Sequence, residues 1–189
     1  MSNTKNVGSN NVKKPWHHNR FSVIMHWLSA LLIPVLAGLG WYMLTIENEP
    51  NSGWYFNFHK SLGVVFFILI VIRLAWRLVH PAEALPSTVP VWQVRLAHWL
   101  QILLYISMFA MPITGYLGAS FGPDELSVFG LKLPQWTIPN HASAEFYFNI
   151  HSILIWIIVC LVGIHVAGAL KHLLVNKDQI FQRMWFKSK

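Results

Sequence analysis

The chain has 189 residues, a one-domain length, of which 54% are hydrophobic and 11% charged. A soluble domain carries about 25% charged residues. This composition, with a mean hydropathy of +0.44, therefore excludes an ordinary soluble globular protein and points to a membrane protein. The net charge of +7 does not indicate nucleic acid, because the Lys and Arg residues flank apolar segments instead of covering a polar surface.

Residues 1–20 are polar and rich in Asn, Ser and Lys, and are expected to form a disordered cytoplasmic tail. They do not form a secretory signal. The apolar run that follows, about 21–46, is far longer than the 7–15 residues of a signal-peptide core. It is long enough to cross a bilayer, which needs about 20 residues, and it places His26 near its start. Pro34 inside it predicts a kink. The second predicted span, about 59–79, opens on His59 and ends on Arg73 and Arg77, one helical turn apart. The third, about 96–120, carries His98 at its start and Pro112 inside. The fourth, about 146–175, carries His151, His165 and His172. Trp41, Tyr42, Trp54, Tyr55, Trp92 and Trp136 near span ends fit an interfacial aromatic belt.

The fold class predicted is thus an all-α membrane protein, a four-helix bundle over 21–185 with a short tail at 186–189. Lys and Arg set its orientation. Lys5, Lys13, Lys14, Arg20, Arg73, Arg77, Arg95, Lys171, Lys177, Arg183, Lys187 and Lys189 gather on one side, against Lys60 and Lys132 on the other. Both termini are therefore expected to be cytoplasmic. Glu47, Glu49, Asp124, Glu125 and Glu145 fall on the outer side. The single cysteine, Cys160, cannot form an internal disulfide and is expected to be a small buried hydrophobe. No Cys-x-x-Cys-His occurs, which excludes covalent c-type haem attachment.

An ionisable side chain inside a membrane span is costly and marks a functional site by default. His151 and His165 are fourteen residues apart, within roughly 40° of the same helix face and roughly 21 Å apart along the axis. The topology places His151 near the outer side, level with His59, and His165 near the inner side, level with His26. Two depth-matched pairs, each drawing one imidazole from the fourth span, suit two stacked haems with both axial positions filled. Such haems have no open position for oxygen and suit electron transfer. Zinc would want four ligands at one depth. His98 competes with His26 for the inner site. Arg73 and Arg77 suit either haem propionates or snorkelling anchors. His172 suits a propionate or quinone contact as well as it suits a surface histidine. The glycines Gly63, Gly115, Gly118, Gly163 and Gly168 near these positions fit either close approach of a macrocycle or ordinary helix packing. His17, His18, His80 and His141 carry no assigned role.

Several segments in this order resemble the bacterial cytochrome b561 family of four-helix di-haem membrane proteins. They are R-F-S-V-I-M-H-W-L-S-A (Arg20 to Ala30), F-H-K-S-L-G (Phe58 to Gly63), I-R-L-A-W-R (Ile72 to Arg77), R-L-A-H-W-L (Arg95 to Leu100), N-I-H-S (Asn149 to Ser152), G-I-H-V-A-G-A-L-K-H (Gly163 to His172) and N-K-D-Q-I-F-Q-R-M (Asn176 to Met184). The resemblance covers roughly residues 20–185. It implies two non-covalent b-type haems in the inner membrane, axial ligands at His26, His59, His151 and His165, and electron exchange with the quinone pool. No separate catalytic residue is implied. The chain is then an electron carrier or an oxidoreductase acting with quinone. Similar chains also serve as membrane anchor subunits of dehydrogenases or hydrogenases, beside a peripheral redox protein, or as superoxide oxidases that reduce quinone. The acidic outer face does not favour capture of the superoxide anion. No flavin or nicotinamide fingerprint is present, so a hydride donor would need a partner protein. A haem-free transporter or metal permease is the rival from another class.

Overall fold

Uncharged runs of Leu, Ile, Val and Phe form four long helices in a computed structural model that describes residues 19–81, 85–86, 88–123, 125–135 and 137–185. They are α1 (Arg20–Thr45), α2 (Ser52–Val79), α3 (Val91–Ser120) and α4 (His141–Leu170). Each is long and apolar enough to cross a bilayer, with a mean hydropathy of 1.6 to 2.7. Large apolar side chains such as Leu31, Ile106, Ile153 and Trp156 are exposed on them. Helices apolar all round need an apolar solvent, and here that solvent is lipid. The molecule is a four-span membrane helical bundle. The tail, Lys5, Lys13, Lys14, His17, His18, Asp124, Trp136, Lys187 and Lys189 lie outside the described residues.

The helices start before the predicted spans, because a helix can run past the edge of its apolar stretch. Asn19 accepts the Phe21 N–H at 3.0 Å and starts α1. Asn51, with φ 75°, precedes the start of α2 at Ser52, seven residues before the predicted edge at His59. Pro90 starts α3 at Val91, and Asn140, accepting the Ser143 N–H, starts α4 at His141. At its far end α4 passes into a π-helical turn, Lys171–Asn176, closed by Lys177 at φ 51°. A short 3-10 helix follows at Phe181–Met184.

Among the described residues one small departure from an all-helical chain occurs. Strands β1 (Ser127–Val128) and β2 (Leu131–Lys132) pair antiparallel around Phe129 and Gly130, both at positive φ. That is the backbone of a tight I′ hairpin turn, whose twist matches the strands. The hairpin is tied to α2 by the Phe129 N–H, which donates to buried Ser61 at 2.9 Å.

At the opposite end the starts of α1 and α3 meet the ends of α2 and α4. Trp27 Nε1–H donates to the Met184 carbonyl at 2.7 Å, Phe21 lies 4.5 Å from Trp76, and Lys171 sits over Trp92. This end gathers Arg20, Arg73, Arg77, Arg95, Lys171, Lys177 and Arg183, while Lys60 and Lys132 lie toward the hairpin. The bundle thus has a basic end and a hairpin end.

Helix α3 packs along α4, α1 along α2, and α2 also along α3. The buried cluster Phe66, Ile70, Leu104 and Met108 fills the α2–α3 contact. Neither α1 nor α2 makes extended backbone packing with α4, so α4 stands off from the two helices that carry His26 and His59. Cys160, expected to be buried, is exposed on α4, because in lipid the outward face is as apolar as the core.

Candidate functional site

Two imidazole pairs bridge this gap. His26 on α1 and His165 on α4 have ring centroids 6.1 Å apart, near the basic end. His59 on α2 and His151 on α4 have centroids 6.3 Å apart, near the hairpin end. His98 is exposed, with its ring against neighbouring Trp99, so it is His26 that stands opposite His165. Among the described residues no three His, Cys, Asp or Glu side chains converge on one point, which is not a structural zinc arrangement.

The pairs repeat one interval. His26 and Gly40 on α1, His59 and Arg73 on α2, and His151 and His165 on α4 are each fourteen residues apart. Each of these helices thus presents one residue at each level. Gly40 supplies space beside His59, since a Cβ there would come within 3.4 Å of His59 Cε1. The fourteen-residue signal was present in the sequence for Gly40, but a glycine carries no chemistry that draws attention to it.

At the hairpin-end pair, His151 Nδ1–H donates to the Met111 carbonyl at 2.9 Å, with the Thr114 hydroxyl at 3.4 Å. A ring that donates through Nδ1 presents Nε2 with its lone pair free, the arrangement typical of a metal-ligating histidine. Gly115 completes the seat, because a Cβ there would stand 3.0 Å from His151 Cε1. Beside the pair lies an apolar cleft, continuous with the exterior and walled by Ile33, Leu36, Gly63, Phe66, Ile155 and Ile158. Among the described residues His59 Nδ1 has no hydrogen-bond partner, although it is buried.

At the basic-end pair, Arg73 donates through an Nη to His26 Nδ1 at 2.9 Å, and its guanidinium lies over the Tyr105 ring at 5.7 Å. Arg77, one turn further along α2, is half-buried beyond it. His172 lies deeper toward the basic end, in the π-helical turn, with its side chain 16% exposed. Its Nδ1–H donates to Asp178 at 2.6 Å. Of the glycines singled out by sequence, Gly115 is pressed against an imidazole and Gly118 against Phe148, whereas Gly63, Gly163 and Gly168 face open space.

The pairs fit a haem iron. Two metal–imidazole bonds of about 2.0–2.1 Å, plus the distance from each nitrogen to its ring centre, come to about 6 Å. The gap between α4 and its neighbours, lined by apolar side chains and bare glycines, has the character of a seat for a flat apolar macrocycle.

The prokaryotic cytochrome b561 family model matches residues 17–187. The chain belongs to the prokaryotic cytochrome b561 family. It is 34% identical over 181 residues to cytochrome b561 homolog 2 of Escherichia coli, spanning 92% of this chain and 94% of that protein. It is 27% identical over 181 residues to a probable superoxide oxidase, CybB, of Yersinia pestis, spanning 91% and 99%. A probable Ni/Fe-hydrogenase B-type cytochrome subunit of Rhizobium leguminosarum is 24% identical over 203 aligned positions, spanning 85% and 82%. As a family member with four spans, the protein is a multi-pass bacterial membrane cytochrome that binds haem b and takes part in electron transport.

Proposed function

We propose that this cytochrome b561 carries two b-type haems across the bacterial inner membrane and passes electrons between a donor and the quinone pool. The observation that carries the reading is the pair of imidazole pairs at 6.1 and 6.3 Å, one near each end of the bundle. In it, His26 and His165 hold the haem at the basic end, and His59 and His151 the haem at the hairpin end. Haem, when bound, supplies a one-electron couple, and two imidazoles leave its iron no open position. The Met111 carbonyl holds the His151 ring in its ligating tautomer, Gly115 lets the ring sit close to α3, and the walls of the cleft offer an apolar surface to the macrocycle. Both termini lie in the cytoplasm in this reading, following the basic end. Arg77 and His172 are the proposed contacts for propionates or a quinone headgroup at that end.

A second reading, a haem-bearing membrane subunit partnered by a peripheral dehydrogenase or hydrogenase, draws its support from the hydrogenase subunit relative. A superoxide:quinone activity draws support from the CybB relative. Charge opposes it: Glu47, Glu49, Glu125 and Glu145 lie toward the hairpin end, and Lys132 there is already paired with Glu125 at 2.6 Å.

The reduced-minus-oxidised spectrum and the haem-to-protein ratio of the purified protein test the central reading. A ratio of about two is expected, falling to about one in His151→Ala and in His165→Ala. Absence of haem, or two haems retained after both replacements, overturns it. Reduction by quinol of the isolated protein separates the carrier reading from the subunit reading.

A further inference from the structure

The two sites differ in the group that faces the imidazoles. At the hairpin end the His151 Nδ1–H meets the Met111 carbonyl, the negative end of a dipole, which strengthens the ring as an electron donor. At the basic end the His26 ring meets a guanidinium, which is always charged. The guanidinium lies over the Tyr105 ring at 5.7 Å, which helps to hold it in place. No carboxylate among the described residues is placed to neutralise it. Glu47, Glu49, Glu125 and Glu145 lie toward the hairpin end, and Asp178 is bonded to His172 and the Ile180 N–H.

A fixed cation in a low-dielectric interior favours the less positive of two redox states beside it. A ring bound to metal through Nε2 keeps its proton on Nδ1. Arg73 then acts on His26 as a neighbouring charge and no longer as a donor to that nitrogen. We propose that Arg73 makes the two sites unequal, giving the haem held by His26 and His165 a higher reduction potential than the haem held by His59 and His151. An electron shared by the two therefore comes to rest at the basic end. With haem bound at both pairs, the one electron given up at the site of His59 and His151 would be the one taken up at the site of His26 and His165, with no proton or bond exchanged. The inference rests on the di-haem reading above.

Potentiometric titration of the purified holoprotein, followed in the α band, tests this. His151→Ala isolates the basic-end haem and His165→Ala the hairpin-end haem. Adding Arg73→Gln to the first is expected to lower the midpoint by at least a tenfold step in the one-electron equilibrium, or 59 mV. Adding it to the second is expected to leave the midpoint in place. Arg73→Lys, which keeps the charge but not the fork, is expected to hold the basic-end midpoint near that of the parent. An unchanged or raised basic-end midpoint in Arg73→Gln overturns the proposal, as does an equal fall in both single-haem chains. If Arg73→Gln sheds the basic-end haem, Arg73→Lys decides: a midpoint near the parent supports the charge, and a full tenfold fall overturns it. A wild-type chain without two haems fails the di-haem reading itself, and the haem ratio shows that separately.

Discussion

Gly115 and Gly118 stand one turn apart on α3, and both are tight, but against different partners. A Cβ on Gly115 meets the imidazole of His151 at 3.0 Å, and one on Gly118 meets the Phe148 ring at 2.8 Å. Overpacking of this kind costs about 1–3 kcal/mol. In Gly115→Ala the strain falls on a proposed ligand, so about one haem per chain is expected to be lost. In Gly118→Ala the strain falls on packing, so lower thermal stability with both haems retained is expected. The haem ratio and the melting temperature of the two variants check this, and equal haem loss in both would remove the special role of Gly115. The histidines themselves were legible from residue type and depth. Gly115 was legible only as one of several glycines, because what a glycine admits is decided by the helix opposite. The choice of His26 over His98 was not legible from depth alone, since both lie near the start of their helices.

Two elements were invisible to hydropathy. The hairpin of β1 and β2 depends on two consecutive residues at positive φ and on a hydroxyl sixty-eight positions away, Ser61, which receives the Phe129 N–H. Removing that acceptor in Ser61→Ala leaves a donor unpaired and is expected to cost about 1 kcal/mol. The melting temperature should fall by about 2–4 °C. The other element is the π-helical turn, where His172 and Asp178 join α4 to the C-terminal 3-10 helix. Burial alone would raise the Asp178 carboxyl. The hydrogen bonds from His172, the Ile180 N–H and Asn176, with the charge of His172, outweigh it and hold the carboxyl below its ordinary value of 3.8. A carboxyl depressed on folding stabilises the folded form in full above the unfolded value and loses that contribution as pH falls through the folded one. Amide protection over residues 177–185, relative to intrinsic exchange at each pH, is therefore expected to be insensitive to this group above pH 3.8 and to fall below it. Asp178→Asn should abolish the step.

At the scale of the molecule the charge distribution sets the topology. Of the nine described Lys and Arg residues, seven lie at the basic end. By the positive-inside rule, the proposal is that this end faces the cytoplasm. Alkaline phosphatase fused after the C-terminus is expected to be inactive, and the same reporter inserted at the β1–β2 turn to be active. The opposite pattern would reverse the direction of electron movement across the membrane without altering the preference of the electron for the basic end. These two properties are separable, since one follows from the flanking charges and the other from a single guanidinium inside the bundle.

Length, hydropathy and the position of each charge are local properties of a chain. They determined by themselves that this protein has four spans and that its histidines fall at two levels. Which imidazoles face one another depends on how each helix is rotated about its own axis and how far it stands from the next. Helices surrounded by lipid are apolar on every side and carry little mark of which face turns inward. The tertiary structure alone therefore decided that His26 and not His98 meets His165, that the Met111 carbonyl orients His151, and that α4 stands clear of α1 and α2. It also brought Arg73 beside His26.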